Sequence, residues 1–195
     1  MDTKEETNKV EEKEYQKNQI NLNPIRRLFE RSIDHPKRHL RPYVTNGQVV
    51  ADLGCNSGYY TFALAECVGP EGKVYVVDLD KKKIRALEKK VEKSGYHNID
   101  AYTSSASDLS FIENRSVDFV LANGLLCSMV AHRQSAVDEI KRIVKSTGKA
   151  YLSLGSPPPL GFVDRVEWEK ILEGFKVERR GGFLQKWALV STIRE

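Results

Sequence analysis

Apolar, strand-like runs alternate with helix-like segments along most of the chain after residue 48. The runs are nearly continuous in Val, Leu and Ile, which is typical of strands buried on both faces of a sheet. They cover residues 49–53, 73–79, 98–104, 117–123 and 149–155. Because segments of helical periodicity separate most of these runs, the pattern predicts an α/β fold in which helices cover both faces of a mostly parallel sheet.

Three segments between these runs have the periodicity of amphipathic helices, at residues 59–68, 81–95 and 136–146. Apolar residues at three- and four-residue spacing predict one buried face on each helix. In the second helix this face is formed by Ile84, Leu87 and Val91, and in the third by Val137, Ile140, Ile143 and Val144.

The end of the chain has a different pattern. A helix-like segment over residues 163–174 leads into two strand-like runs that are separated by Gly181 and Gly182, which is a hairpin signal. We therefore expect a Rossmann-like, doubly wound α/β fold, with a mostly parallel seven-stranded sheet that ends in an antiparallel C-terminal hairpin.

The start of the chain predicts little buried structure. Residues 1–22 mix Lys and Glu with few apolar side chains, as a solvated or disordered charged arm does. Residues 23–195 are predicted to form a single domain, which begins with two short basic helices at Pro24 and Pro36. These helices carry Arg26, Arg27, Arg31, Lys37, Arg38 and Arg41. A solvated face explains this basic set better than a site for an anionic acceptor such as RNA.

Composition restricts the classes of protein that remain. The 195 residues carry a formal net charge of +4, too small to indicate a nucleic-acid-binding protein by itself. No apolar run is long enough for a membrane span, and the N-terminus is too charged for a signal peptide, so we expect a cytoplasmic protein. Three cysteines and four histidines lack metal-ligand spacing. We therefore expect neither a metal site nor a disulfide framework.

Candidate binding residues follow the first strand. Ligands of open α/β sheets bind beyond the carboxyl ends of the strands, and Asp52, Gly54 and Gly58 lie there. Glycine permits a positive φ and lets a ligand approach the main chain, and the next helix presents free N–H groups to an anion such as a phosphate or a carboxylate. Asp52 adds a preference for a cationic group. An ordinary glycine turn between a strand and a helix is the alternative.

The ends of the next three strands add further polar groups. Asp78 lies twenty positions beyond Gly58, where a carboxylate can accept both hydroxyl hydrogens of a ribose. The alternative is a helix N-cap, a role that suits Asp80. Ser105 and Ala106 follow the third strand, where they would face an adenine edge. Asn123 ends the fourth strand, where it would meet the reacting end of a cofactor.

Two classes of nucleoside cofactor are candidates for such a rim, dinucleotides and S-adenosylmethionine. Dinucleotide-binding proteins use G-x-G-x-x-G, whereas the chain reads G-x-N-x-G from Gly54, with Asn56 in place of the middle glycine. S-adenosylmethionine has an amino acid end, a sulfonium and an adenosine. An acid before the glycines, a helix-start turn and a ribose-binding acid match these parts in order, which favours S-adenosylmethionine as the cofactor.

At this point the chain resembles a known family. Residues 49–61, VVADLGCNSGYYT, resemble motif I of the class I S-adenosylmethionine-dependent methyltransferases, and VYVVDLD at 74–80 resembles their ribose motif. ASDLSF at 106–111 is similar to their adenine segment, and VDFVLANGLLCSM with EIKRIVKSTGKAYLS to their fourth and fifth strands. The likeness runs from about residue 36 to 195. It is greatest to the subgroup of ubiquinone and menaquinone biosynthesis methyltransferases, which act mainly on small molecules.

The resemblance implies a role for each matching residue. The methionyl end would be surrounded by Asp52, Gly54, Asn56, Gly58 and Tyr59. Asp78 would hold the ribose, and Asn123 would lie near the sulfonium. The adenine would be contacted by Leu79, Ser105 and Ala106. Three departures stand out. Asn56 replaces a frequent glycine, Ser105 a frequent Asp, and Cys127 with Ser128 a frequent His pair.

The implied reaction is methyl transfer to a small organic acceptor by in-line displacement. Alignment supplies much of the acceleration in such a reaction, so no catalytic triad is required. Ser128, His132 and Cys127 follow the fourth strand, but ordinary loop and core roles explain them better, and no catalytic residue is assigned. An RNA or protein methyltransferase and a non-catalytic cofactor-binding subunit remain as alternatives. The Asn-Pro-Pro-aromatic signature of many amino-group methyltransferases is absent, which disfavours nucleic acid and protein acceptors.

Overall fold

The computed structural model of the chain describes residues 40–154, 163–182 and 186–193. The predicted N-terminal arm, most of the two basic helices and the proline-rich segment at 156–162 lie outside these ranges. Within them, no helix combines the length and the apolar character that crossing a membrane requires.

The described strands form one sheet of seven, flanked by helices. In chain order the elements are β1 (Val49–Leu53), α1 (Thr61–Val68), β2 (Lys73–Asp78), α2 (Lys81–Ser94), β3 (Ile99–Thr103), β4 (Val117–Asn123), α3 (Arg133–Ile143), β5 (Val144–Ser153), α4 (Arg165–Leu172), β6 (Phe175–Gly181) and β7 (Trp187–Thr192). The strand order is β3-β2-β1-β4-β5-β7-β6. The pairs from β3 to β5 are parallel, and β7 is antiparallel to both of its neighbours. The predicted fold class and the terminal hairpin are confirmed.

The strand order places a binding crevice at β1. The chain moves outward from β1 through β2 to β3 and then returns to the other side of β1 as β4. The connections therefore leave the two sides of β1 in opposite directions, which opens a crevice at the carboxyl ends of β1 and β4. The candidate residues from the first four strands consequently meet at one rim.

Two hydrophobic cores cover the two faces of the sheet. On one face α1 and α2 pack over β1 and β2, and Leu40 and Val44 join them. On the other face α3 and α4 pack over β4 and β5, with Trp168 almost fully buried. The near-continuous apolar strands are explained by this burial on both sides, as predicted.

Residues 104–116, between β3 and β4, form a loop without a helix. Arg142 of α3 fastens this loop by donating hydrogen bonds to the carbonyl oxygens of Leu109 and Ile112, each at 2.8 Å. Glu139 accepts hydrogen bonds from the Leu109 N–H at 2.7 Å and from the Arg142 guanidinium. The Arg142 hydrogen bond lowers the pKa of the Glu139 carboxyl. The pair therefore holds the segment that begins with Ser105.

The predicted boundary between the third helix and the fifth strand is wrong, and the third helix also begins earlier than predicted, at Arg133. We expected the third helix to continue to residue 146 and the fifth strand to begin at residue 149. In the structure α3 ends at Ile143 and β5 begins at Val144, which pairs with Val117 before an irregularity in the register. Val144 continues the apolar spacing of the helix but is a β-branched residue that suits a strand. No glycine or proline marks the change, so periodicity alone could not place it.

Candidate functional site

A cleft opens at the crevice beside β1. Its empty space, counted together with the open solvent at its mouth, is about 440 Å³. The ends of β2 and β3 form one wall and the loop after β4 forms the other. The lining residues are Gly54, Val77, Asp78, Leu79, Ser104, Ser105, Ala106, Leu125, Ser128, Met129 and His132.

Asp78 lies in the wall of this cleft and joins two turns. Its side chain is only 3% exposed. One carboxylate oxygen accepts a hydrogen bond from the N–H of Asn56 at 2.8 Å, and the other accepts one from the N–H of Asp80 at 2.9 Å. Each carboxylate oxygen can accept more than one hydrogen bond, so these contacts are compatible with ribose hydroxyls as further donors.

The glycine turn after β1 has a left-handed backbone at three positions. The φ angles are +74° at Gly54, +53° at Asn56 and +82° at Gly58. A Cβ atom on Gly54 would lie 2.9 Å from Cδ1 of Leu125, and one on Gly58 would lie 2.5 Å from Cδ1 of Leu87. The positive φ angles favour glycine at both positions whether or not a ligand approaches the main chain, as predicted for a turn between a strand and a helix. Asn tolerates the left-handed region, which explains Asn56.

Asp52 lies at the end of β1, below the glycine turn. It is 3% exposed, and its carboxylate accepts a hydrogen bond from the Thr61 hydroxyl at 2.7 Å. Burial raises the pKa of the Asp52 carboxyl to about 7, the Thr61 hydrogen bond opposes this rise, and the charge of Asp78 adds to it. A buried carboxyl of this kind is stabilised in its charged form by a cation placed beside it.

The cleft has two apolar walls. Leu79 and Ala106 contribute to one wall, and Leu125 and Met129 to the other. Flat aromatic rings bind well between such surfaces, because burial of both ring faces is favourable. Ser105 lies in the first wall, where its hydroxyl oxygen accepts a hydrogen bond from the Ser107 N–H at 3.1 Å. The sequence indicated that this loop lies at the sheet opening but did not single out Leu125 or Met129, although LLCSM is an unusually apolar stretch for a loop at a rim.

Asn123, at the end of β4, is held by a neighbouring strand. Ser153 of β5 is fully buried and donates a hydrogen bond from its hydroxyl to the Asn123 side-chain oxygen. The same hydroxyl oxygen accepts a hydrogen bond from the Gly124 N–H at 3.1 Å. Ser153 thus orients the Asn123 amide. The signal for this role in the sequence was a serine placed directly after the run Ala150–Leu152 at the carboxyl end of the strand.

The structure brings five of the ten predicted binding residues into the cleft wall, namely Gly54, Asp78, Leu79, Ser105 and Ala106. The other five, Asp52, Asn56, Gly58, Tyr59 and Asn123, lie outside the lining. Asn56 reaches Asp78 through its backbone, and Tyr59 packs edge-on against Tyr60 with ring centroids 5.0 Å apart. The binding roles of all ten stay predictions.

The loop after β4 offers hydroxyl, imidazole and thiol groups, of which Ser128 and His132 line the cleft. Burial raises the pKa of the Cys127 thiol, which donates a hydrogen bond to the carbonyl oxygen of Gly124 at 3.1 Å. A protonated, hydrogen-bonded thiol is a poor nucleophile, so the structure favours a packing role for Cys127. Across the described ranges, His, Cys, Asp and Glu side chains form no group suited to a metal ion.

Arg133 fastens the loop that forms the second wall. It is 7% exposed, and its Nε donates a hydrogen bond to the carbonyl oxygen of Leu126 at 2.7 Å. Its Nη1 lies 2.7 Å from a carboxylate oxygen of Glu167 on α4. A single side chain therefore fixes both the loop that carries Leu125 and Met129 and the position of that loop relative to α4.

Replacing Arg133 with Met is expected to lower the free energy of unfolding by about 2–3 kcal/mol, because Glu167 and the Leu126 carbonyl lose a buried partner. We also expect affinity for a ligand of the cleft to fall about tenfold, since one wall loosens. Arg133→Lys keeps the charge, but an ammonium group cannot contact the Leu126 carbonyl and Glu167 with the geometry of a guanidinium. Losses of stability and affinity between those of the parent and of Arg133→Met are therefore expected. Denaturant unfolding and calorimetric titration with S-adenosylhomocysteine measure the two effects.

Arg180→Met is the matched control, because Arg180 pairs with Glu169 of the same helix at 3.1 Å but is largely exposed. Exposed pairs contribute little, so this variant should lie within about 0.5 kcal/mol of the parent. Equal effects of Arg133→Met and Arg180→Met would contradict the positioning role.

The chain is similar in sequence to known methyltransferases. A family model described as "Methyltransferase domain" matches residues 50–148, just over half of the chain. Demethylmenaquinone methyltransferase from Geobacillus stearothermophilus is 34% identical over 123 residues, which are 63% of this chain and 52% of that protein. The protein of the same name from Anoxybacillus flavithermus is 30% identical over 71% of this chain and 65% of its own length. The chain thus matches between half and two thirds of the length of these curated relatives.

A solved structure has the same fold. The crystal structure of a SAM dependent methyltransferase from Aquifex aeolicus matches with a TM-score of 0.74 at 22% identity, covering 94% of this chain and 98% of that one. This similarity shows the fold, including the sheet on which the cleft is built.

Proposed function

Because the chain belongs to the class I S-adenosylmethionine-dependent methyltransferases, with a methyltransferase-domain match over just over half of its residues, we propose that it transfers a methyl group to a small organic acceptor. S-adenosylmethionine is the cofactor of this family. The buried Asp78 carboxylate in the cleft wall is the observation that carries the proposal, because it offers a ribose two acceptor oxygens between fixed turns.

The residues of the cleft fit the cofactor. In this proposal Leu79, Ala106 and Leu125 contact the adenine, and Asp78, which lines the same cleft, accepts hydrogen bonds from the ribose hydroxyls. Asp52 offers a buried carboxylate to the cationic amino end, and the turn at Gly54 leads to the start of α1, where a carboxylate is favoured. When bound, the cofactor supplies a methyl group that is already activated by a cationic sulfur.

The chain's own residues then contribute mainly by alignment. The Asp78 contacts hold the first wall, the Arg133 contacts hold the second wall, and Ser153 holds the Asn123 amide at the rim. Fixed positions of donor and acceptor remove much of the entropy cost of a two-substrate reaction. In this proposal no side chain has to form a covalent intermediate.

The proposed acceptor is a quinol related to the substrate named in the relatives, a demethylmenaquinone. A methyl group on a cationic sulfur is an electrophile, so the acceptor atom must provide an electron pair. A reduced quinone ring has electron-rich carbon and oxygen atoms, whereas the oxidised ring does not. The proposal is supported by the name of the relatives and by the open mouth of the cleft, which Met129 lines with an apolar side chain.

Two measurements test the proposal. Calorimetric titration should detect S-adenosylhomocysteine binding in the micromolar range, and methyl-labelled cofactor should transfer label to a chemically reduced, short-chain demethylmenaquinone. An absence of binding at roughly millimolar ligand would overturn cofactor use. Binding without transfer to the quinol or to any fraction of a cell extract would favour a cofactor-binding subunit. Label recovered in RNA or protein would instead replace the small-molecule acceptor.

A further inference from the structure

Helix α2 concentrates the positive charge of the chain. Its fourteen residues include seven Lys or Arg and two Glu, a net charge of +5, whereas the whole chain carries +4. Such an excess on one surface helix is the electrostatic signature of an anionic partner.

The charges of α2 are arranged on one face. Ile84 and Leu87 are buried against the sheet. The opposite side carries a stripe of four exposed basic residues, Lys82, Arg85, Lys89 and Lys93. Their spacing of three or four residues keeps them on one side of the helix over about 16 Å, at the α-helical rise per residue. We call these four residues the basic stripe.

Carboxylates of the described residues do not neutralise the basic stripe. None of its four side chains lies within ion-pair distance of a carboxylate from residues 40–154, 163–182 or 186–193, in contrast to Lys73, which lies 2.8 Å from Asp100. The two glutamates of α2, Glu88 and Glu92, line a separate depression beside β3. The stripe therefore presents a positive surface with an acidic border on one side.

The basic stripe begins at the rim of the cleft. Asp80 follows Asp78 and caps α2 by accepting a hydrogen bond from the Lys82 N–H at 2.9 Å. Farther along the helix, Lys90 donates a hydrogen bond to the carbonyl oxygen of Ser57 in the glycine turn at 2.9 Å. A partner held on the stripe would consequently lie next to the mouth of the cleft.

We propose that the basic stripe docks the protein on a bilayer surface rich in anionic phospholipid, next to the medium that dissolves an apolar quinol. The choice of acceptor rests on the proposed function. Clusters of four or more Lys and Arg bind anionic headgroups through charge alone, and a convex ridge fits a flat surface. Single-stranded RNA is typically held in a basic groove with aromatic stacking platforms, whereas the depression that borders α2 is lined by the acidic side chains of Glu88 and Glu92.

Vesicle sedimentation with the full-length protein tests the proposal. The protein should bind vesicles of phosphatidylcholine containing about 30% phosphatidylglycerol but not pure phosphatidylcholine, and binding should weaken steeply as salt is raised. The triple variant Lys82→Gln, Arg85→Gln, Lys89→Gln should lose on the order of 100-fold in its partition coefficient.

The matched control removes three exposed positive charges elsewhere, as Lys170→Gln, Lys176→Gln and Arg179→Gln on α4 and β6. Its partition coefficient should stay within about twofold of the parent, since these residues lie on other elements. Equal losses in both triple variants, or equal binding to neutral vesicles, would overturn the proposal. It would also be overturned if the stripe variant lost RNA binding while keeping vesicle binding.

The outcome can be separated from that of the proposed function. Sedimentation requires no turnover, so it reports docking even if no acceptor is methylated. Transfer to a water-soluble quinol without vesicles should be unchanged in the stripe variant, because none of the three residues lines the cleft. Loss of that soluble activity would overturn the assignment of the stripe to docking.

Discussion

Replacing Asp78 with Asn is expected to weaken the binding of S-adenosylhomocysteine by about 100-fold or more. The reason is twofold. The amide presents one acceptor oxygen instead of two and no charge, so a ribose loses a charge-assisted hydrogen bond. In the parent protein the N–H groups of Asn56 and Asp80 each donate to one carboxylate oxygen. In the variant the side-chain NH₂ group must face one of these two donors, and it cannot accept a hydrogen bond. Calorimetric titration measures the change directly.

Asp80→Asn is the matched control for this substitution. Asp80 lies two residues farther along and accepts hydrogen bonds from the N–H groups of Lys82 and Lys83 as the cap of α2. Because Asn caps helices about as well as Asp, affinity should remain within about threefold of the parent. If Asp78→Asn binds as tightly as Asp80→Asn, the ribose does not contact Asp78 and the site is misplaced.

Replacing Asp52 with Asn is expected to stabilise the ligand-free protein at alkaline pH while weakening cofactor binding. Burial raises the pKa of Asp52 from 3.8 to about 7 in the folded state. Between these values the folded state binds more protons than the unfolded state, so the free energy of unfolding falls as pH rises. The cost of the buried charge is complete above pH 7, and a neutral Asn avoids it while still accepting the Thr61 hydrogen bond.

The stabilisation of Asp52→Asn should be about 2–3 kcal/mol larger at pH 8 than at pH 5, measured by denaturant unfolding. Over the same pH range Asp100→Asn should change by less than about 0.5 kcal/mol, because Asp100 is exposed and paired with Lys73. S-adenosylhomocysteine should bind Asp52→Asn about tenfold more weakly if its amino group faces this carboxylate. A pH-independent stability difference would show that Asp52 is already ionised at pH 5.

Much of the fold could be predicted because its strands are buried on both faces. Such strands read as apolar runs, so β1 and β4 were predicted with their observed bounds and β2 ended within a residue of its prediction. The boundary between α3 and β5 could not be predicted, since Val144 satisfies both the helical spacing and the strand. Apolar periodicity marks what is buried, and it does not mark where the backbone changes conformation without a turn.

Less of the candidate site than of the fold could be predicted from the sequence. Acids and glycines at strand ends were found because the topology sends all carboxyl ends to one rim. Leu125 and Met129 of the second wall were not singled out because they lie in a loop whose position depends on Arg133 and its contact with α4. The positive φ of Gly54 could be predicted from its turn, whereas its contact with Leu125 could not, since Leu125 is distant in sequence and only the folded chain brings the two together.

The double attachment of Asp78 has a consequence for how such chains diverge. A descendant that stopped methylating anything would still need this acid to fasten the turns that contain Asn56 and Asp80. Purifying selection on folding alone would then preserve the apparent cofactor signature in inactive copies. An aspartate at this position therefore indicates an intact fold, and only a measurement of turnover can distinguish an active methyltransferase from an inactive homologue.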